Sequence, residues 1–476
     1  MTKLSTWKMA STILLLCAAT AIASRAQTFT KIADLGDALG SNPDSMFFVQ
    51  GEDGNLYGTN SDVIGGSGGT IFKITPSGTA TVLYTFCSQP NCADGSIPGS
   101  GVMLATDGNF YGITYEGGTA GEGTVFKITP SGTFTTLHSF CVQPECPDGR
   151  LPWGGLMEAT DGNLYGTTQA GGGGFAGTIF RISPSGAFTT FYNFSGYDGD
   201  VPDAALVEGL DGDLYGTTQR AEPNYYGSVF KITLSGILTN LVTFQGGADA
   251  WPSAPLVRDG NRTFYGTATG GTSPDGTIFS ITPQGTLTNL YVFCQKQGCP
   301  DGGAPIGITS GTDGNLYGIT AVGGNSPVCS FDCGTIFQFT AKKKLTTLHD
   351  FCEETGCTDG QWPQSGLFQA TNGKFYGTTL IGGAYGGGTV YTLDMGLGPF
   401  VSFVLPAGRV GQTGGILGQG FAGTTSVSLN GIAANFTVVS DTFIKATVPA
   451  GATTGYVTVA TPSGTLTSNV TFRVIP

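Results

Sequence analysis

"TDGNLYGTT" (Thr160–Thr168) recurs in near-copy as "EDGNLYGTN" from Glu52, "TDGNFYGIT" from Thr106, "LDGDLYGTT" from Leu210 and "TDGNLYGIT" from Thr312. Aligned on the residue before the repeated Gly, the copies become seven: Tyr57, Tyr111, Tyr165, Tyr215, Tyr265, Tyr317 and Tyr376, spaced 54, 54, 50, 50, 52 and 59 residues apart. A second marker follows each one, "GTIF" at Gly69, Gly177, Gly276 and Gly334, "GTVF" at Gly123, "GSVF" at Gly227 and "GTVY" at Gly388. A period near fifty residues indicates stacked units, and with all-β content it predicts a propeller.

Each unit divides into four strands. In the third these fall at about 155–160, 164–168, 178–183 and 188–194. "DGN" makes the first turn, because Asp-Gly tolerates positive φ. "PSG" (Pro184–Gly186) makes the third, with Pro and Gly presetting its dihedrals. The seventh unit stops near Leu393 after three strands, and "TFTKIADL" from Thr28 matches the fourth-strand stretch "TFTTLHSF" from Thr133. The expected fold is therefore a seven-bladed β-propeller over 27–395 whose N-terminal strand closes the last blade and leaves no open sheet edge.

Residues 1–26 read as a secretory signal: Lys3 and Lys8, the apolar run Ile13–Ala23, then Ser24 and Ala26 before a cut at Gln27. Removing it takes away three cations and leaves 17 basic against 33 acidic residues, a net charge of −16. That balance argues against nucleic acid and anionic membrane surfaces as partners, and no later run is long enough to span a bilayer. Ten cysteines remain, in five close pairs: Cys87/Cys92, Cys141/Cys146, Cys294/Cys299, Cys329/Cys333 and Cys352/Cys357. An even count and an oxidising destination indicate disulfides. Zinc would want four ligands at one site. From the end of strand four to the next Pro, the connections Phe86–Pro98, Phe140–Pro152, Phe293–Pro305 and Phe351–Pro363 span 12 residues and hold C-x4-C. Phe194–Pro202, Phe244–Pro252 and Leu35–Pro43 span 8 and hold none. A four-residue insertion stapled by its own disulfide accounts for the difference, and a ring that small is expected mainly to stiffen its own loop.

The pattern "DGNLYGTT…GGT…GTIFKITPSG" resembles the GloVer tandem repeat of exported bacterial proteins over about 28–395. That resemblance implies location and architecture and supplies no catalytic residues. After a linker, 396–399, the chain over 400–476 resembles an IPT/TIG immunoglobulin-like domain, on Gly418, Gly420, Phe421, Gly431, Val438–Pro449, Gly455 and Gly464. Its basic residues are Arg409, Lys445 and Arg473 alone, so the resemblance implies a β-sandwich spacer or interaction module rather than a DNA reader.

Chemical motifs fail on context. "GGSGG" (Gly65–Gly69) matches a serine elbow, but Ser67 lies between two strands rather than before a helix. His138 and His349 share a strand-four position with Tyr84, Tyr192, Val242 and Tyr291, which reads as a packing site. Asp148 and Asp301 read first as turn formers and second as single cation ligands. No cofactor or metal is expected.

Topology puts the short, uniform DGN and PSG turns on one face and the variable loops on the other, where binding belongs. The aromatics gather on that variable face: Trp153, Trp251 and Trp362 flank the Pro before strand one, and Tyr115, Phe175, Tyr225, Tyr226, Phe331 and Tyr385 sit in the two-to-three loops. Aromatic faces beside hydrogen-bonding groups suit sugar rings. The expected function is non-catalytic binding or adhesion outside the cytoplasm, to a glycan or protein. The alternatives are a lyase or glycoside hydrolase, which needs two suitably separated carboxylates, and a structural cell-surface component.

Overall fold

The structure is a computed structural model describing residues 27–36, 39–41, 43, 47–61, 68–258, 262–270, 275–329 and 333–476. The signal segment, Ser67 and Phe331 lie outside the described residues. The described chain is all-β apart from two 3-10 turns, Pro90–Cys92 and Gly247–Asp249.

Residues 28–394 form seven antiparallel sheets, each of four strands except the third, which adds the short strand Arg150–Pro152. In the third unit, Leu164–Ala170 pairs with Thr178–Ile182, which pairs with Phe188–Asn193. The turn before it is closed by the Gly162 N–H donating to Ala159, with Gly162 at φ 79°. Asp161 accepts from the Asn163 N–H at 3.0 Å and from the Tyr165 hydroxyl at 2.9 Å. The same Asp-to-Tyr bond recurs at Asp53/Tyr57, Asp107/Tyr111, Asp211/Tyr215 and Asp313/Tyr317. Each of these Tyr hydroxyls thus stays satisfied while its ring is buried. The Thr at the far end of strand two pairs its hydroxyl with strand three, as in Thr168/Thr178 at 2.9 Å and Thr114/Thr124 at 2.8 Å. The repeated Thr is thereby used in holding strands together.

Strand one is shorter than its sequence predicts in every unit but the sixth, where Gly303–Ser310 pairs along its length with Leu316–Val322. In the third unit its ladder against strand two covers Met157–Glu158 alone, and other units show the same two-residue pairing. The residues before it carry the reason. Pro removes a donor, Gly155 sits at φ 77°, and the neighbouring unit's backbone crowds in. A Cβ at Gly154 would lie 2.5 Å from the Ala204 carbonyl.

Sheets pack face to face through shared apolar clusters. Tyr57 of the first unit stacks on Phe110 of the second at 4.0 Å between ring centres, and Tyr215 stacks on Phe264 at 4.2 Å. Each unit shares such a cluster with the next, and one cluster joins Leu56, Phe72 and Ile74 of the first unit to Tyr376 and Val390 of the seventh. Polar links repeat the pattern. Glu158 accepts from the Thr106 N–H, Glu208 from Thr160 and Gln369 from Thr312, while Gln50 accepts from Thr371 at 3.0 Å. The N-terminal strand Thr28–Asp34 takes the outer place of the last sheet, antiparallel to Thr389–Asp394, with Thr28 opposite Asp394. There Phe29 stacks on His349 at 3.7 Å.

The C-terminal residues form two four-stranded sheets over one core that includes Ile416, Ile444, Val427 and Val459. This part docks on the DGN-turn side of the repeat region. Thr442 donates to the Glu52 carbonyl at 2.7 Å, Gln419 donates to Thr371, and Arg473 pairs with Glu208. Leu417 and Phe443 join the cluster between the first two units.

Candidate functional site

The face opposite the docked C-terminal part is shaped by the proline of each connection. The residue before that proline is in the left-handed region in six units: Ile97, Leu151, Val201, Trp251, Ala304 and Trp362, with φ between 48° and 62°. Its N–H donates to the loop before the GT[IV]F marker, as Leu151 does to Glu122 at 3.0 Å and Trp251 to Tyr226 at 3.0 Å. The proline ring then fills the space over the marker glycine. A Cβ on Gly123, Gly177 or Gly227 would meet Cδ of Pro152, Pro202 or Pro252 within 2.8 Å. A Cβ there would also lie 2.3–2.5 Å from the strand-two carbonyl of Thr114, Thr168 or Thr218, and the three glycines sit at φ 93–101°, so the marker begins with Gly. The backbone therefore arrives bent and anchored, and the residue after the proline turns inward.

Five of those post-proline residues, Trp153, Asp203, Ser253, Ile306 and Gln364, wall a cavity of about 120 Å³. Phe47 and Ser100 complete its polar and aromatic lining. The connection that carries Phe47 differs in length from the others. Six residues separate Pro43 from Val49, where strand one pairs with strand two, against five from Pro152 to Met157. Phe47, which corresponds to Gly155 when counted back from strand one, lies against glycines of two other units, its carbonyl 2.0 Å from a Cβ built on Gly101 and its ring 2.1 Å from one on Gly366. Only glycine fits at either place. The indole of Trp153 meets Tyr115 edge-on at 5.2 Å.

Asp203 is the unusual member. It is 7% exposed, and its Oδ1 has no hydrogen-bond partner. Burial pushes its carboxyl up to about 8, opposed only weakly by its own backbone N–H. It is therefore mostly a neutral acid at pH 7, able both to donate and to accept. Among the described residues walling the cavity no other side chain is ionisable.

The remaining expected residues lie elsewhere. Trp251 precedes its proline, and its indole N–H donates to the Tyr225 carbonyl at 3.1 Å. Trp362, 37% exposed, also precedes its proline. Tyr226 packs on Gly246. Phe175, Tyr225 and Tyr385 are 66%, 52% and 73% exposed at loop tips. Among the described residues, the one ring contact within the expected aromatic set is Tyr115 with Trp153. His138 stacks on Phe188 at 3.8 Å and bonds Asp148 at 2.9 Å. Asp148 also caps the Cys141 N–H, and Asp301 accepts from Tyr291 and Cys294. These carboxylates are committed to their own connections. Among the described residues no group of three or more His, Cys, Asp or Glu is arranged to hold a metal.

All five cysteine pairs are disulfides: Cys87–Cys92, Cys141–Cys146, Cys294–Cys299, Cys329–Cys333 and Cys352–Cys357. Beyond the expected stiffening of its own loop, the second cysteine of each of the four C-x4-C pairs makes a contact outside it. Cys92, Cys146, Cys299 and Cys357 are all left-handed, with φ between 49° and 52°. That bend turns the carbonyl toward two amides. Cys299 accepts from Gly302 and from Gly324, both at 2.9 Å, and Cys357 accepts from Gly360 at 2.9 Å and Gly383 at 3.0 Å. Cys92 serves Gly95 and Gly118 alike, and Cys146 serves Gly149 and Gly172. The first amide closes the connection's own turn. The second belongs to the two-to-three loop of the following unit, so the stapled connection also fixes a loop of the variable face. Cys329–Cys333 departs from the pattern, with three residues between the cysteines instead of four and a place in the two-to-three loop of the sixth unit. Cys333 is buried, and its carbonyl accepts from the Trp362 N–H at 3.0 Å. It thus anchors the pre-proline residue of the next connection.

Sequence reasoning missed Asp203, Ser253, Gln364 and Phe47. A signal was present. The position after the shared proline reads Asp44, Gly99, Trp153, Asp203, Ser253, Ile306 and Gln364 in the seven units, Asp44 lying outside the described residues. Where the units agree on proline they disagree on its successor.

No curated protein matches the chain. Several solved structures are similar to it. A fungal alcohol oxidase of the AA5 family in complex with copper has 12% identity and a TM-score of 0.46, over 94% of this chain and 99% of that one. An oligogalacturonate lyase in complex with manganese has 13% and 0.42, over 77% and 96%. An auxiliary nutrient binding protein from Bacteroides ovatus has 12% and 0.41, over 77% and 76%. Likeness at this level bears on neither ligand nor reaction. The model of the Gloeobacter/Verrucomicrobia repeat matches residues 19–146, 142–324 and 296–420, most of the chain, and the protein belongs to that repeat family.

Proposed function

We propose that this protein is an exported, non-catalytic glycan-binding protein, a closed seven-bladed β-propeller followed by an IPT/TIG-like domain, with its ligand seat at the channel mouth opposite that domain. The observation that carries the reading is the cavity walled by the residues the units do not share, Trp153 and Asp203 foremost. An aromatic wall with hydroxyl, amide and carboxyl groups around it matches a sugar ring, apolar on its C–H faces and polar at its rim. Ring closure is supported by the cluster and the Gln50–Thr371 link that join the seventh unit to the first. Five disulfides are consistent with a location outside the cytoplasm.

Binding is favoured over hydrolysis by the acid count. A glycosidase mechanism uses two carboxyl groups across the scissile bond, and the described wall of this cavity holds one. The test is a glycan array with the full mature chain. Trp153→Ala should weaken binding by about tenfold to a hundredfold, the range for a buried aromatic anchor, while Trp251→Ala and Trp362→Ala leave it within about twofold. Equal losses from all three would move the seat to the outer rim. Release of sugar from a soluble polysaccharide would replace binding with catalysis.

A further inference from the structure

The carboxyl of Asp203 is the least explained group in the molecule. Its Oδ1 has no partner, and the side chain is more than nine-tenths buried. The described wall around it holds no cation to pair with it. If the cavity received neutral hydroxyls alone, an amide or hydroxyl would serve, as Gln364, Ser253 and Ser100 do nearby, without the cost of burying an ionisable acid. A cation offsets that cost. The aromatic residues Trp153 and Phe47 share the same cavity, and aromatic faces attract organic cations.

We propose that the channel-mouth seat takes a sugar bearing a free, protonated amine, with the ammonium at Asp203 and the ring against Trp153. This rests on the mouth being the ligand seat. The chain's net charge of −13 adds a long-range attraction for a cationic glycan. Binding ionises the carboxyl and releases its proton to solvent, leaving a buried ion pair that the remaining polar wall supports. The residues packed beside Asp203 from the adjoining units, Gly154 and Ala254, bring no charge of their own.

The experiment is calorimetry on the full mature chain with two probes, a glucosamine trimer and its fully N-acetylated counterpart. The amine trimer should bind at least tenfold tighter, with a proton released that shows as a dependence of the heat on buffer. Asp203→Asn should abolish that preference and the proton release, and Trp153→Ala should weaken both ligands. Choline, whose charge does not titrate, should gain about tenfold in affinity per pH unit up to about pH 8 and then level off, because the free carboxyl titrates there. Thermal melts of the variants at pH 5 establish that they are folded. If the N-acetylated trimer binds as tightly, and Asp203→Asn changes nothing while Trp153→Ala removes binding, the ammonium is wrong and the mouth seat stands. If both variants bind either trimer like the wild type, or neither trimer binds, the seat falls and the ammonium with it.

Discussion

Trp153 and Trp251 flank equivalent prolines, one after and one before, and the chain uses them in opposite ways. Trp251 sits at φ 62° with its backbone and its indole both bonded to the loop of the preceding unit, through Tyr226 and Tyr225. Trp153, beyond the proline ring, walls the cavity. The same contrast runs around the molecule. Pre-proline residues tie connections to loops, and five of the post-proline residues wall the cavity. Two positions apart in sequence, a side chain belongs either to the frame or to the surface the frame displays.

The frame half of the contrast is broken most severely at its seam. The strand Thr28–Asp34 covers Thr389–Asp394, and Phe29 packs on His349, Phe351 and Tyr391. Deleting residues 27–36 uncovers Val390, Tyr391 and Leu393, all 0% exposed, and leaves a ladder edge unpaired. The expected loss is on the order of 5 kcal/mol from apolar exposure and lost pairing. It should be read as a lower midpoint in chemical denaturation and as a tendency to associate through the new edge. Unchanged stability would mean that the N-terminal strand is an ornament rather than the closing piece.

Asp203 sharpens the mouth half. Its folded value near 8 stands far above the ordinary carboxylate value, so the native chain keeps a proton that the unfolded chain gives up between about pH 4 and pH 8. The unfolded state binds fewer protons in that window, and this group's contribution therefore makes stability fall as pH rises. The slope approaches about 1.4 kcal/mol per pH unit. Asp203→Asn carries no such penalty. Its stability relative to wild type should grow between pH 4 and pH 8 and stay level above. Parallel pH profiles for the two proteins would show that Asp203 is ionised or solvated in the native state, which would undo the account of Asp203 as a buried neutral acid.

Much of the frame was legible in the sequence because it is written seven times. The spacing of Tyr57 through Tyr376 located the units, and the surplus stretch at Thr28 located the outer strand of the last sheet. Strand one was overdrawn because alternation in "GGLMEAT" (Gly154–Thr160) reads as pairing. In the fold Gly155 and the approach of Ala204 interrupt the ladder before Met157. The cysteine spacing gave the pairs, but the reach of Cys299 to Gly324 and of Cys357 to Gly383 depends on a left-handed backbone that the letters do not announce. The mouth was half legible. The three Trp looked equivalent beside their prolines, since nothing in the letters says that the residue before is held left-handed and the residue after is not. Asp203 in "VPDAAL" looks like any turn aspartate until the connections of five units are seen to wall one cavity. The contact of Arg473 with Glu208 links residues 265 apart and has no local signature at all.

The smallest effect separates the two kinds of connection. The twelve-residue Phe140–Pro152 link holds the Cys141–Cys146 disulfide, while the eight-residue Phe194–Pro202 link holds none. Yet both are organised by one aspartate. Asp148 accepts from His138 and the Cys141 N–H, and Asp198 accepts from the Tyr192 hydroxyl and, at 2.8 Å, the Ser195 N–H. The shared device is the carboxylate cap, and the disulfide is laid over it. A ring this small removes little entropy from the unfolded chain, so replacing Cys141 and Cys146 together with Ser should cost about 2 kcal/mol or less. Asp148→Ala leaves the Cys141 N–H and His138 without their partner and should cost as much or more. Denaturant titration of the two variants decides between them. A larger loss from the cysteine pair would make the staple, rather than the cap, the element that sets the connection. Glycan binding should survive the cysteine change, because Trp153 reaches the mouth from beyond Pro152, whose ring stays seated on Gly123 whether or not the loop before it is stapled.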